Sequence, residues 1–381
     1  MKVYLDNAAT TPIDPLVIDE MVAMMKNQFG NPSSIHSYGR EVRSVIEKAR
    51  KSVAALINAS PSEVFFTSGG TEANNTAIRC TINDHNIKHA ITSRIEHHAV
   101  THTLEELEHR GIIKLSWVNI DGKGKVDYAH LEKLLADNER SFVSLMHANN
   151  EIGTVTDIQR VGELCKTHNA IFHCDTVQTM GHFAHDVKKV HVDFITCAAH
   201  KFHGPKGVGF LYISNRLKIS PFITGGAQER NMRGGTENVY GIVGLAKALE
   251  LAYAEMAEDA PKIRDLKNYM RNRLLEEIPG VEFNGDVSDE SLYTVLNVSF
   301  PPNDGGEMLL FNLDIAGIAV SGGSACSSGS DVGSHVLTGI KSSPDRPAAR
   351  FSFSRYSTKE EIDFCVEKLK EILGVAVNKM A

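Results

Sequence analysis

The sequence has few cysteines, no long apolar run and no excess of basic residues, and each shortage excludes a class of protein. Its six cysteines form no CxxC pair, which argues against a disulfide framework or a cysteine-based zinc site. Apolar runs such as residues 63–67 are far too short to cross a bilayer. The net charge of −7 disfavours a nucleic-acid partner. Because residues 1–7 resemble no secretory or transit segment, we expect a cytoplasmic protein with no membrane partner.

The order of predicted elements indicates the fold class. Helical patterns alternate with β-branched runs from residue 15 to about 250, and the first helix is predicted to begin at Asp14 and Pro15, a cap followed by a proline. Strands are predicted at residues 64–67, 90–93, 112–118, 142–146, 170–173, 193–196 and 208–213. This alternation is typical of an α/β fold whose mostly parallel sheet is covered on both faces.

The pattern changes in the last third of the chain. A long helical region at 236–278 is followed by shorter strands and helices of mixed order, ending in a strand at 350–354 and a final helix. A chain of 381 residues also exceeds one ordinary core. The sequence therefore predicts a large α/β domain of residues 15–255 and a smaller α+β domain of residues 1–14 and 256–381.

Two segments offer groups that could bind a ligand. Residues 65–72 (FFTSGGTE) read as a strand, a tight turn and a helix start, where free N–H groups favour a phosphate. An ordinary turn is the alternative, and the segment lacks the lysine of a nucleotide triphosphate loop. Residues 172–175 form a strand ending in Asp175, with Gln178 three residues later. An acid at that strand end could pair with a protonated pyridine nitrogen or sit in a buried ion pair, and the segment alone favours neither.

A third segment, residues 197–207 (CAAHKFHGPKG), contains two candidate lysines. A lysine held rigidly between a strand and a Gly/Pro turn is the kind that forms Schiff bases. We favour Lys201, which follows His200, over Lys206, which lies inside the turn. A phosphate cradle, an acid and such a lysine are together the groups that pyridoxal 5'-phosphate (PLP) requires.

With these groups in this order, the chain resembles a known family, the cysteine desulfurases of iron–sulfur cluster assembly. These are class V aminotransferase-like enzymes of PLP fold-type I. That fold is aspartate aminotransferase-like, with a large mostly parallel α/β domain and a smaller α+β domain. The matching segments cover nearly the whole chain: residues 4–12 (YLDNAATTP), 30–34 (GNPSS), 67–72 (TSGGTE), 147–153 (HANNEIG), 173–178 (HCDTVQ), 200–201 (HK), 233–238 (RGGTEN), 321–329 (SGGSACSSG) and 350–352 (RFS).

The resemblance implies a role for each matching position. Lys201 would form the Schiff base with PLP and move protons, while Asp175 would pair with the pyridine nitrogen. The remaining cofactor contacts would come from Gln178 at the phenolic oxygen, from Asn150, from His97 on the ring face, and from Gly70, Thr71, His200 and a partner subunit's Thr236 at the phosphate. His97 would also be a catalytic residue. Arg350, Asn31 and Asn150 would bind the substrate carboxylate. The Thr236 assignment implies a homodimer with shared active sites.

Cys326 differs from the other cysteines because it lies in a Gly/Ser-rich run that is too polar for a core position. The resemblance implies that its thiolate takes sulfur from L-cysteine as a persulfide and delivers it to a scaffold or carrier protein. One departure is Ala198, where the family commonly has a phosphate-binding Ser or Thr. His98 and His102 are spaced like zinc ligands but lack the accompanying glutamate, so we expect no metal site.

Three functions compete at this stage. The leading one is conversion of L-cysteine to L-alanine by a cysteine desulfurase. Another class V PLP enzyme, such as an aminotransferase or selenocysteine lyase, is the alternative on the same fold, although an aminotransferase needs no thiol at Cys326. A non-catalytic scaffold is the alternative from a different class, and the presence of Lys201, Asp175, Gln178 and Cys326 argues against it.

Overall fold

The computed structural model describes residues 1–302, 308–322 and 333–375. In these ranges the strands are β1 (Val3–Tyr4), β2 (Val64–Thr67), β3 (His89–Thr92), β4 (Lys114–Trp117), β5 (Ser141–Ser144), β6 (Ile171–Asp175), β7 (Phe194–Ala198), β8 (Gly209–Ile213), β9 (Glu282–Asn284), β10 (Val295–Ser299), β11 (Ile318–Ala319) and β12 (Ala348–Ser352). The helices are α1 (Pro15–Asn27), α2 (Ser37–Leu56), α3 (Gly70–Asn75), α4 (Thr81–Asp84), α5 (His98–His109), α6 (Tyr128–Ala136), α7 (Ile158–Thr167), α8 (Gln228–Asn231), α9 (Val239–Glu277), α10 (Leu309–Ile315), α11 (His335–Gly339) and α12 (Lys359–Ile372).

The largest sheet of the described residues has the strand order β2-β8-β7-β6-β5-β3-β4, and only β8 runs against its neighbours. Adjacent residues of one strand, such as Phe142 and Val143 in β5, belong to different apolar clusters, because successive side chains point to opposite faces. Both faces are therefore covered, and the expected mostly parallel α/β sheet is confirmed.

The carboxyl ends of the parallel strands meet at one edge of this sheet. β3, β5, β6 and β7 run in the same direction, and the residues that follow them include four predicted site residues. These are His97 after β3, Asn150 after β5, Asp175 at the end of β6 and Lys201 after β7. Positions more than a hundred residues apart in sequence thus share one crevice.

The last third of the chain forms an antiparallel sheet, β12-β10-β9, and a short parallel pair, β1 with β11. Val3 and Leu5 are buried in the same apolar cluster as the second half of α9, α10 and α12. The N-terminal residues therefore pack with the C-terminal ones, although α9 passes residue 255 without a break and the predicted domain boundary stays a prediction.

The start of the first helix was predicted from the sequence, whereas two short elements were not. Asp14 caps α1 by accepting from the Leu16 N–H, with Pro15 at the first helical position, as expected. The two-residue strand β1 and the five-residue helix α11 were not predicted, because neither is long enough to show a period. No helix in the described ranges is long and apolar enough to span a bilayer.

Candidate active site

One cavity of about 220 Å³ lies at the carboxyl edge of the large sheet. The predicted site residues that line it are Gly70, Thr71, His97, Asn150, Asp175, Gln178, His200, Lys201 and Arg350. They come from six separate parts of the chain, so the fold brings together most of the residues that the sequence patterns single out.

Lys201 enters this cavity from a single 3₁₀ turn, Ala199–Lys201, that directly follows β7. Its Nζ donates to the carbonyl oxygens of Ala8 at 2.6 Å and Ala9 at 2.9 Å. Lys206, the other candidate, is exposed and does not line the cavity. The geometry therefore favours Lys201 as the amine of this site.

Asp175 is buried at the end of β6, and two donors orient its carboxylate. Oδ1 accepts from the Val177 N–H at 2.9 Å, and Oδ2 accepts from Asn74 Nδ2 at 2.7 Å. Asn74, which the sequence reasoning missed, also lines the cavity. It stands four residues after Gly70, and that helical spacing puts the two on one face.

Two imidazoles contribute to the cavity in their neutral form. His97 caps α5, with Nδ1 accepting from the Ala99 N–H at 3.0 Å, so the neutral ring carries its proton on Nε2. Burial lowers the pKa of His97, helped by Lys201 and opposed by Asp175. Burial, together with Lys201 and Lys206, lowers the pKa of His200 to about 4.

Arg350 is held in β12 with 1% of its surface exposed. Nη1 donates to the Asn150 carbonyl at 2.9 Å, and Nη2 forms a 2.8 Å ion pair with Asp6. Its Nε–H is buried and has no hydrogen-bond partner among the described residues. A guanidinium with a buried unpaired N–H suits an anionic ligand such as a carboxylate.

The matches to known proteins cover nearly the whole chain. The model of the aminotransferase class-V family matches residues 3–364. The chain belongs to the class-V aminotransferase family. It is 44% identical over 376 residues to a protein of Dictyoglomus turgidum named cysteine desulfurase IscS, covering 98% of this chain and 94% of that relative. A relative of the same name from Methanosarcina thermophila is 43% identical over 375 residues, covering 97% and 92%.

Solved structures of similar proteins have the same fold as this chain. A structure titled NifS-like protein superposes with a TM-score of 0.91 at 38% identity, covering 99% of this chain and all of the other. A NifS-like protein from Rickettsia africae gives 0.88 at 32% identity, covering 98% of this chain and all of that one. The expected PLP fold-type I architecture is confirmed.

Class-V aminotransferases and the cysteine desulfurases among them use PLP, and the cavity fits that cofactor. It offers an amine at Lys201, a buried carboxylate at Asp175 and neutral imidazoles. The start of α3 comes close to this space, because a Cβ added at Gly70 would lie 2.8 Å from Val177 Cγ2. The first N–H groups of a helix suit a phosphate. These groups match the aldehyde, pyridine nitrogen, ring and phosphate of PLP.

Ala198 lies at the phosphate end that this match indicates. It lines the cavity with 3% of its surface exposed, and its Cβ is 3.8 Å from the position of a Cβ added at Gly70. At this position the chain offers only a methyl group.

Two predicted residues of the described ranges do not line the cavity. Asn31 is exposed and accepts from the Ser33 N–H, and Thr236 is exposed beside a separate pocket that it shares with Ser68 and Arg233. Cys326 lies outside the described residues. The five described cysteines are buried. Burial raises the pKa of Cys80 to about 11 and raises the pKa values of Cys165, Cys174, Cys197 and Cys365 further, so none of these thiols is readily ionised.

Proposed function

We propose that this chain is a cysteine desulfurase that converts L-cysteine to L-alanine with PLP and receives the sulfur on Cys326 as a persulfide. The observation that carries the proposal is the cavity in which Lys201, Asp175 and Arg350 face one space, in a chain whose full-length relatives are named cysteine desulfurases. An amine, an acid and a carboxylate-binding guanidinium are the groups that this chemistry on an amino acid requires.

The cofactor contacts in this proposal follow the cavity lining. Asp175 pairs with the pyridine nitrogen, Gln178 binds the phenolic oxygen and His97 lies on the ring face. The phosphate is held by Gly70, Thr71 and His200, with Thr236 of the partner subunit. PLP, when bound, withdraws electrons from the substrate α-carbon, which is the chemistry that side chains alone lack.

The substrate contacts centre on Arg350. Its guanidinium binds the α-carboxylate of L-cysteine, and Asn150, which lines the same cavity, assists. Asp6 and the Asn150 carbonyl support this role by fixing two of the guanidinium nitrogens and leaving Nε–H unsatisfied. Lys201 Nζ then moves a proton at the α-carbon, for which its position between the Ala8 and Ala9 carbonyls keeps it in the cavity.

The sulfur-accepting step uses the thiolate of Cys326. It attacks the substrate sulfur, the carbon–sulfur bond breaks, and the carbon takes a proton to give alanine, while Cys326 becomes a persulfide. The step is balanced without an external oxidant or reductant. Ser321 supports it, because its carbonyl accepts from the Arg350 N–H at 2.6 Å and its hydroxyl donates to Asp6. Cys326 is five residues further on, so its Cα lies within about 18 Å of that anchor.

The proposal includes a homodimer with shared active sites in the cytoplasm. Thr236 is exposed and outside its own chain's cavity, as a residue that serves a second copy must be. Leu16, Ile18 and Met25 on α1 are exposed apolar side chains, and so is Phe29, at 74%. Ile18 and Met25 are seven residues apart and share one face of α1, and an exposed apolar face is typical of a protein interface. The persulfide then passes to a scaffold or carrier protein for iron–sulfur cluster, thio-cofactor or tRNA synthesis.

The purified protein tests this function directly. It should absorb visible light and release alanine and sulfide in equal amounts from L-cysteine with a thiol reductant. Lys201→Ala should abolish both properties, and Lys206→Ala should keep them. A 2-oxo acid as product, or the loss of the chromophore in Lys206→Ala alone, would contradict the proposal.

A further inference from the structure

Glu151 stands next to the cavity residue Asn150, yet no role is assigned to it by the proposed function. We propose that Glu151 is a positioning residue that ties the C-terminal side of the Cys326 segment to the cavity through Ser334. This inference rests on the proposed function, because it concerns how Cys326 reaches the substrate.

Glu151 is completely buried, which is costly for a carboxyl group unless it is hydrogen-bonded. Its Oε2 accepts from the Ser334 hydroxyl at 2.5 Å, whereas Oε1 has no partner in the part of the chain that the structure describes. Its backbone is fixed on both sides, since Glu151 N–H donates to Asn149 Oδ1 and its carbonyl accepts from Asn297. The carboxyl group is therefore a rigid acceptor aimed at Ser334.

Ser334 links the Glu151 carboxyl group to α11. It caps the helix, with its hydroxyl oxygen accepting from the Leu337 N–H at 3.1 Å while the same hydroxyl donates to Glu151. A second connection follows at once, because His335 Nε2 lies 2.9 Å from the Glu96 carbonyl. The start of α11 is thus tied to the residues just before His97 and just after Asn150, both of which line the cavity.

Apolar contacts secure the same helix. Val336 of α11 and Ile340, which directly follows the helix, are buried in one cluster with Ile95 and Ile152, which come from these two cavity loops. The apolar cluster holds α11 in place. The Ser334–Glu151 hydrogen bond fixes the N-terminal end of this helix, which is the end nearer to Cys326 in the sequence.

The two anchors limit where the Cys326 thiol can go. The chain is tied at Ser321, five residues before Cys326, and at Ser334, eight residues after it. An extended chain spans at most about 18 Å over five residues and about 29 Å over eight. Releasing one anchor removes one of these two distance limits, which lowers the effective concentration of the thiol at the substrate. Glu151 thus affects the sulfur-transfer rate and leaves cysteine binding to Arg350 intact.

Substitutions at Ser334 separate this role from helix capping. Aspartate and asparagine both cap helices, but only asparagine can also donate to Glu151, while aspartate adds a second negative charge. In the holoenzyme, S334D should slow persulfide formation on Cys326 about tenfold or more, measured by mass spectrometry in a single turnover. S334N should stay within threefold of wild type. The cysteine concentration that half-saturates the visible spectral change should stay within threefold in both.

The double variant E151Q/S334D tests whether the slower rate of S334D comes from the lost hydrogen bond between positions 151 and 334. Glutamine can donate to the new aspartate, so the bond returns with its direction reversed and the rate should recover to within threefold of wild type. Equal rates for S334D and S334N, or no recovery in the double variant, would overturn the inference. A wild-type enzyme that forms no persulfide on Cys326 would instead overturn the proposed function.

A second pair of variants covers the case in which S334D does not fold. If S334D gives no folded holoenzyme, S334A is compared with Thr358→Ala, which removes the cap of α12, a helix that contributes no residue to the cavity lining. Slower persulfide formation in S334A alone supports the inference, and an equal rate in both variants contradicts it.

Discussion

Asn74 Nδ2 lies 2.7 Å from Asp175 Oδ2, and the same asparagine accepts from the Thr196 hydroxyl at 2.7 Å. Helix α3, whose first residues line the proposed phosphate side, is thereby bonded to the end of β6 and the middle of β7. The carboxylate proposed for the pyridine nitrogen and the helix start proposed for the phosphate are held at a fixed separation. A rigid cofactor needs both ends placed together.

Replacing Asn74 should therefore weaken cofactor retention. A hydrogen bond to a charged group contributes about 1.5–3 kcal/mol, so we expect Asn74→Ala to lose PLP roughly ten times faster or more. The loss is measured as the decay of the visible chromophore after dilution into a PLP trap. Asn83→Ala, an exposed asparagine further along, is the matched control. Wild-type retention in Asn74→Ala would show that Asp175 needs no such support.

Cys326 and Lys201 should be separable by mutation because they act at different stages. Cys326→Ala should keep the visible chromophore and still change its spectrum when cysteine is added, since Lys201 and Arg350 remain. It should form no persulfide and release essentially no alanine. Mass spectrometry of wild type after one turnover checks the site. A persulfide on any of the buried cysteines would rule out the mechanism.

Shared active sites make a specific prediction for mixed dimers. In a heterodimer of Lys201→Ala and Thr236→Ala chains, both defects fall on one site and the other site is intact. Activity should recover towards half of the wild-type value, well above either parent. The measurement needs two affinity tags to isolate the mixed species. Activity no higher than the average of the two parents would mean that each chain serves its own site.

Restoring the hydroxyl at position 198 should strengthen phosphate binding. Ala198 is buried beside Gly70, so a serine there would place a donor at the proposed phosphate position. A neutral hydrogen bond contributes about 0.5–1.5 kcal/mol, which corresponds to a several-fold slower loss of PLP from Ala198→Ser. The same dilution assay measures it, with Ala199→Ser, which does not line the cavity, as the comparison. Unchanged or faster loss would indicate that the phosphate already has all its partners.

Acid should destabilise the fold through buried neutral histidines. Burial lowers the pKa of both His173 and His185 from 6.5 to about 4. A histidine with a lowered folded-state pKa stabilises the protein fully above pH 6.5, and this stability is lost as the pH falls towards 4. Each pKa unit corresponds to about 1.4 kcal/mol, so one such histidine can account for up to about 3 kcal/mol.

His185→Gln tests this origin of acid sensitivity. The variant should show a smaller drop in the free energy of unfolding between pH 6.5 and 4.5 than wild type, measured by urea titration. His109→Gln, at an exposed position, should leave the drop unchanged. If both variants follow the wild-type curve, His185 does not titrate in this range.

The strand ends were the part of the site that could be predicted. Asp175 and Lys201 follow buried strands, and parallel strands must end at a common edge, so pattern alone indicates that these side chains meet. Choosing Lys201 over Lys206 needed its neighbour His200 and the resemblance, and the exposure of Lys206 agrees with that choice.

Other contacts could not be predicted because they depend on tertiary packing. Asp6 pairs with Arg350 across 344 residues, and no local period indicates such a pair. Glu151 looks like an ordinary polar residue of the 147–153 motif until its burial and its bond to Ser334 are seen. Asn74 had a signal in its helical spacing from Gly70, but that signal points only to a face and not to Asp175.

The N-terminal segment has a consequence for how the enzyme is made. Asp6 contacts Arg350, Leu5 accepts from the Ser352 N–H, and Ala8 and Ala9 accept from Lys201. The ribosome synthesises Leu5 and Asp6 before their partners in β12, which emerge more than 340 residues later. The nascent chain therefore cannot complete the proposed substrate site at Arg350 until β12 has been made, and a prematurely terminated product that ends before β12 carries Lys201, the proposed cofactor lysine, without Arg350.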